Sequence, residues 1–111
     1  MSDKQEIDAL LDFELLKKLV VGIGEVSEMS GVPTRKIRYW EEKGIIESEN
    51  EGEGTTRRYN YLNIKKILLI QELIEEGFTL DAAAKKVEKR INHMNDVFIK
   101  LANASKQKNE D

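Results

Sequence analysis

Residues 23–46 read IGEVSEMSGVPTRKIRYWEEKGII, two short amphipathic segments separated by Ser30-Gly31-Val32-Pro33. Glycine tolerates the left-handed conformation that ends a helix, while proline stops one helix and fits the first turn of the next. The pattern is helix, tight turn, helix. At about 100° per residue, the second segment puts Ile37, Trp40 and Gly44 on one side and Arg35, Arg38, Tyr39 and Glu42 on the other. The apolar side needs a core. The opposite side leaves two guanidinium groups and a phenol in solvent, groups that suit phosphate oxygens and guanine edges. The competing interpretation is a solvated face in which Arg35 and Arg38 pair with Glu41 and Glu42, as on most charged helices. The flanking sequence has to decide.

After Ile45-Ile46 comes ESENEGEGTT, residues 47–56, polar and glycine-bearing. Short β-prone ends at 45–47 and 57–59 flank it, which predicts a hairpin of two short strands with a polar tip. A hairpin after a helix-turn-helix is a wing. From Asn60, a candidate N-cap, residues 61–76 read as a helix that is apolar almost all round and should form the core. Gly77 stops it and Thr79 can cap the next. In that last helix Leu80, Ala84, Val87, Ile91, Met94, Phe98 and Leu101 are spaced 4, 3, 4, 3, 4, 3. An unbroken heptad over about 33 Å exceeds what a small domain can cover, so the spacing predicts a homodimer seam in preference to a helix folded on its own domain. Upstream, residues 5–21 read as an amphipathic helix with Ile7, Leu10, Leu11, Leu15 and Leu19 at helical spacing, favouring a dimer contact over docking in cis. The expected organisation is an N-terminal helical extension over 1–21, a winged helix-turn-helix over 22–78, a dimerisation helix over 79–104 and a polar tail over 105–111.

The chain has 111 residues, 40% of them hydrophobic, enough for one modest core. Its charged start and short apolar runs predict neither a secretory leader nor a membrane span, hence a cytoplasmic protein. With no cysteine, no disulfide or thiolate metal site can form, and His93 alone makes no metal site. No metal or other cofactor is expected. The net charge of −3 argues against nucleic acid on its face, yet residues 34–66 carry eight Lys and Arg against six Glu. Positive charge is gathered around the helix-turn-helix, with the weak excess that implies strong salt sensitivity.

Three motifs at compatible spacing resemble the MerR family of bacterial transcription regulators over residues 22–90. Residues 37–46, IRYWEEKGII, are similar to the exit of that family's recognition helix, Arg57 and Tyr59 stand as the Arg and Tyr of its wing, and Gly77-Phe78-Thr79-Leu80 is like its later helix turn. The resemblance implies a mainly α fold: a winged helix-turn-helix with a small β-hairpin wing and a C-terminal coiled-coil helix. It also implies double-stranded DNA as partner, bound by a homodimer at a pseudo-palindromic operator that such regulators bend and untwist. Thr34 then stands at the start of the recognition helix, Arg35 and Lys36 near base edges, Arg38 and Tyr39 on phosphates, and Arg57 and Arg58 on the backbone with Tyr59 bracing the wing. RNA polymerase or a regulatory protein is the further partner the resemblance suggests, as in small members that act through protein partners.

Departures from the family pattern are Pro33 in place of a Ser cap, with Thr34 or a backbone carbonyl as substitute, and the N-terminal extension. The wing tip is acidic at Glu47, Glu49, Glu51 and Glu53, which predicts that only its base meets phosphate. No stretch after the coiled-coil helix is long enough for an effector domain. An enzyme is not expected, for want of a phosphate loop or a nucleophile set. An excisionase-like architectural DNA-binding protein and a helical protein-interaction adaptor without DNA binding are the alternative functions.

Overall fold

The computed structural model describes residues 14–15, 18–49 and 56–109, with side chains as far as residue 104. In order these form β1 (Val20–Gly22), α1 (Ile23–Ser30), α2 (Thr34–Glu42), β2 (Arg58–Asn60), α3 (Tyr61–Glu75) and α4 (Leu80–Asn109). The protein is mainly α, a winged helix-turn-helix with a long C-terminal helix, as the sequence predicts. Most of the N-terminal helical extension lies outside the described residues, as do residues 50–55 of the wing tip and the last two residues of the polar tail, whose residues 105–109 continue α4.

Each helix boundary follows from a local cap. Gly31 adopts φ 76° and its N–H donates to the Ser27 carbonyl, closing α1. Ser27 Oγ donates to the Val32 carbonyl at 2.6 Å, and the Val32 N–H donates to Ser30 Oγ at 3.1 Å, so the turn is stitched from both sides. Val32 is fully buried beneath it. Pro33 is the N-cap of α2, with no side-chain cap; its carbonyl accepts from the N–H groups of Lys36 and Ile37. Asn60 Oδ1 caps α3 by accepting from the Asn63 N–H, and Thr79 Oγ1 does the same for the Ala82 N–H of α4.

One core joins these elements: Val26 of α1, Ile37 and Trp40 of α2, Ile46, Tyr59, Ile67 and Ile70 of α3, and Ala83, Val87 and Ile91 of α4. Burying each large aliphatic side chain contributes about 1.5–3 kcal/mol, so the packing of α2 rests mainly on Ile37 and Trp40.

The strand pairing differs from the expected one. β2 pairs antiparallel with β1, in register Val20↔Asn60, Val21↔Tyr59 and Gly22↔Arg58, and not with residues 45–47. Two physical causes account for it. Val20 and Val21 are β-branched and leave the predicted N-terminal helix for an extended backbone. Ile46 meanwhile enters the core, and its neighbours are tied to helices: the Ile45 N–H donates to the Trp40 carbonyl and the Glu47 N–H to Asn63 Oδ1 at 2.8 Å. The segment after the helix-turn-helix meets β2 at Glu49, whose N–H donates to the Arg58 carbonyl at 2.7 Å and whose Oε1 accepts from Asn60 Nδ2 at 3.1 Å.

The heptad seam is also corrected in part. Val87 and Ile91 are buried in the protomer's own core, and Leu80 and Met94 pack against it. The reason is length. α3 has 15 residues, about 22 Å at 1.5 Å per residue, and so covers α4 only as far as Met94. Beyond that point Val97 is 41% exposed.

Candidate nucleic-acid interface

The buried face of α2 fixes what its other face presents. With Ile37 and Trp40 anchored, Arg35, Lys36 and Arg38 all project into solvent and Tyr39 is 51% exposed. None of the three cations has an ion-pair partner among the described residues, so the pairing with Glu41 and Glu42 that would have made this a merely solvated face is absent there. Thr34 is half-buried at the helix start.

Glu41 follows a different course. It sits one turn after Ile37, on the packed side, and faces the wing base. Its Oε2 accepts from Arg57 Nη1 at 2.9 Å and its Oε1 accepts from the Tyr59 hydroxyl at 2.8 Å. The pair is largely shielded, with side-chain exposures of 35% for Arg57 and 19% for Glu41. Burial, reinforced by the Glu41 carboxylate that accepts its proton, pushes the Tyr59 phenol far above the ordinary tyrosine value. Tyr59, expected to brace the wing, is fully buried with its hydroxyl on Glu41, while Arg57, expected on the backbone, directs its Nη1 at the same carboxylate of the recognition helix. Arg58 alternates to the opposite face of β2 and is exposed.

At the far end of α2, Lys43 bridges to α4. Its Nζ lies 3.3 Å from Asp81 Oδ1 and 5.6 Å from the centre of the Tyr39 ring. The Asp81 carboxylate holds the Lys43 ammonium above the usual lysine range, so it stays cationic over the ring. The exposed Tyr39 is thus steered by the C-cap residue of its own helix and, through Asp81, by the first turn of α4.

Glu41 and Lys43 are site residues that the sequence reading missed. For Glu41 a signal existed: a carboxylate on the apolar side of an amphipathic helix needs a buried donor. Its partners lie 16 and 18 positions away, beyond any helical period.

A winged helix-turn-helix with a bare cationic recognition face defines a DNA-binding regulator. The family comparison agrees: a family model described as MerR HTH family regulatory protein matches residues 22–105. The chain belongs to the MerR family and is a DNA-binding transcriptional regulator. It is 32% identical over 79 residues to the HTH-type transcriptional regulator TnrA of Bacillus subtilis (strain 168), covering 71% of each chain. It is also 38% identical over 61 residues to HmrR of Rhizobium leguminosarum bv. viciae, covering 55% of this chain and 46% of that protein. Identity to ZntR of Escherichia coli (strain K12) is 30% over 70 residues, 63% of this chain and 50% of that protein. The chain thus spans about half the length of HmrR and ZntR. Among solved structures, a MerR-family transcriptional regulator from Bacillus cereus superposes with a TM-score of 0.55 at 19% identity, over 83% of this chain and 74% of that one, a likeness of fold. Among the described residues no helix is long and apolar enough to cross a membrane.

Proposed function

We propose that this regulator reads a specific promoter operator as a homodimer, with one α2 in each of two successive major grooves of a pseudo-palindromic site. The observation that carries this reading is the unpaired cationic face of α2. Arg35 lies nearest the helix start, where a bidentate contact with guanine discriminates by about 1–3 kcal/mol, and Lys36 joins it at the base edges. Arg38 and Tyr39 fix the register on phosphate oxygens, and Arg58 holds the wing base to the backbone. Thr34 adds a hydroxyl at the helix N-terminus, where backbone N–H groups suit phosphate.

Dimerisation falls to the part of α4 beyond Met94. The exposure of Val97 supports this, since a helix of about 45 Å extends far past the 22 Å that α3 covers. Two linked half-sites then raise the affinity of each. RNA polymerase or a regulatory protein completes the partner set, and bending of the promoter is the step through which transcription responds.

Selection of bound duplexes from random DNA tests the proposal. It should return two inverted half-sites about 34 Å, one helical turn, apart. A single unpaired site would reject the dimer geometry, and no enrichment at low salt would reject operator reading.

A further inference from the structure

We propose that Glu41 is a positioning residue for operator recognition, locking the wing base to the exit of the recognition helix. The inference deepens the DNA-reading function proposed above and rests on it. A winged domain reads DNA through two separate surfaces, and their joint affinity depends on a fixed spacing between them. Here the surfaces are the exposed face of α2 and the exposed Arg58 of β2. In sequence Tyr39 and Arg58 are separated by a polar loop. In space they are joined through Glu41, whose two carboxylate oxygens each hold a group from the strand side, Arg57 Nη1 at 2.9 Å and the Tyr59 hydroxyl at 2.8 Å.

Three features make this clamp stiff. Tyr59 is fully buried, so its hydroxyl has no freedom to follow solvent. The Arg57 carbonyl accepts from the Ile23 N–H at the start of α1 at 3.0 Å, which fixes the arginine backbone as well. The Arg58 carbonyl accepts from the Glu49 N–H at 2.7 Å, closing the other edge of β2. Arg57 has a second effect. A carboxylate on a DNA-facing helix repels phosphate, and the guanidinium neutralises it in place. Glu41 therefore acts through Arg57 and Tyr59 on the placement of Arg58.

The test is a double-mutant cycle on the full chain, using a selected operator duplex and a scrambled duplex of equal length. Glu41→Gln should weaken operator binding at least tenfold and weaken the scrambled duplex as well, since the Arg58 contact it displaces is to phosphate. Arg58→Ala should weaken operator binding in the wild-type background and add almost nothing in Glu41→Gln, because the wing is already misplaced. A role in stability alone would lower the melting temperature but leave the Arg58→Ala effect undiminished, and that result would overturn the inference. So would operator binding by Glu41→Gln within about threefold of the wild type. Should Glu41→Gln fail to fold, Tyr59→Phe keeps the buried ring and removes one bond of the clamp, and it should reduce the Arg58→Ala effect in the same direction; an unreduced effect would overturn the inference. If the wild-type protein showed no preference for any duplex, the DNA-reading proposal would fall first and this inference with it.

Discussion

The salt dependence of DNA binding follows directly from which cations the fold leaves free. Arg57 is engaged by Glu41 and Lys43 by Asp81, so of the basic residues in and beside the helix-turn-helix only Arg35, Lys36, Arg38 and Arg58 are exposed without an acidic partner among the described residues. Arg35 and Lys36 are assigned to base edges. Arg38 and Arg58 then neutralise phosphates, two contacts in each protomer and four in the proposed dimer. With a slope of about −0.9 per phosphate, log affinity should fall against log salt with a slope of about −3.6. Raising salt from about 50 to about 200 mM should therefore weaken binding about 150-fold. Arg38→Ala removes two of the four contacts, so its slope should be about −1.8 and the same change in salt should cost only about twelvefold. Fluorescence anisotropy with a labelled operator, repeated at four or more salt concentrations, measures both slopes. The loss should appear on scrambled DNA too, since phosphates carry no sequence. An Arg38→Ala slope equal to the wild-type slope would show that this guanidinium never meets the backbone, and the assignment of the α2 face would fail.

Other consequences can be checked on the protein alone. Val97→Asp should halve the mass seen by light scattering while leaving the melting temperature nearly unchanged, since the side chain is exposed within one protomer; an unchanged mass would reject dimerisation through the distal part of α4. Ile91→Asp should instead unfold the domain, because Ile91 is only 6% exposed and an isolated carboxylate there has no partner; circular dichroism at ordinary temperature separates the two outcomes. Asn63→Ala should cost about 1–3 kcal/mol in urea denaturation, because it leaves the Glu47 N–H without its acceptor and removes the side-chain bond from Asn63 Nδ2 to Asn60 Oδ1. Tyr59 contributes to stability at alkaline pH: its folded pKa lies above the unfolded value of 10.0, so its contribution is complete below pH 10 and is lost as pH climbs towards the folded value. Tyr59→Phe should flatten that decline, and an identical pH profile in the variant would refute the assignment.

Helices α1 to α4, their caps and the amphipathic split of α2 were legible in the chain. Such features are local: a cap acts over three residues, and an amphipathic stripe repeats every three or four, so the information lies within a short window. Gly31, Asn60, Thr79 and the Ile37–Trp40 side of α2 needed no partner to be recognised. The partner of β2 did need one. The sequence offered residues 45–47 as that partner and placed residues 20–21 in a helix; the actual pairing depended on Ile46 finding a place in the core and on Asn63 taking the Glu47 N–H. The heptad of α4 is likewise real in the sequence, but a heptad says only that a stripe must be covered. Tertiary packing decided that the protomer's own α3 covers it through Met94. The same holds for Arg57, Tyr59 and Glu41: the charge and phenol of the wing base are plain in the sequence, yet whether they face a duplex or each other is set by distances across 16 to 18 residues, which only the folded chain brings within 3 Å.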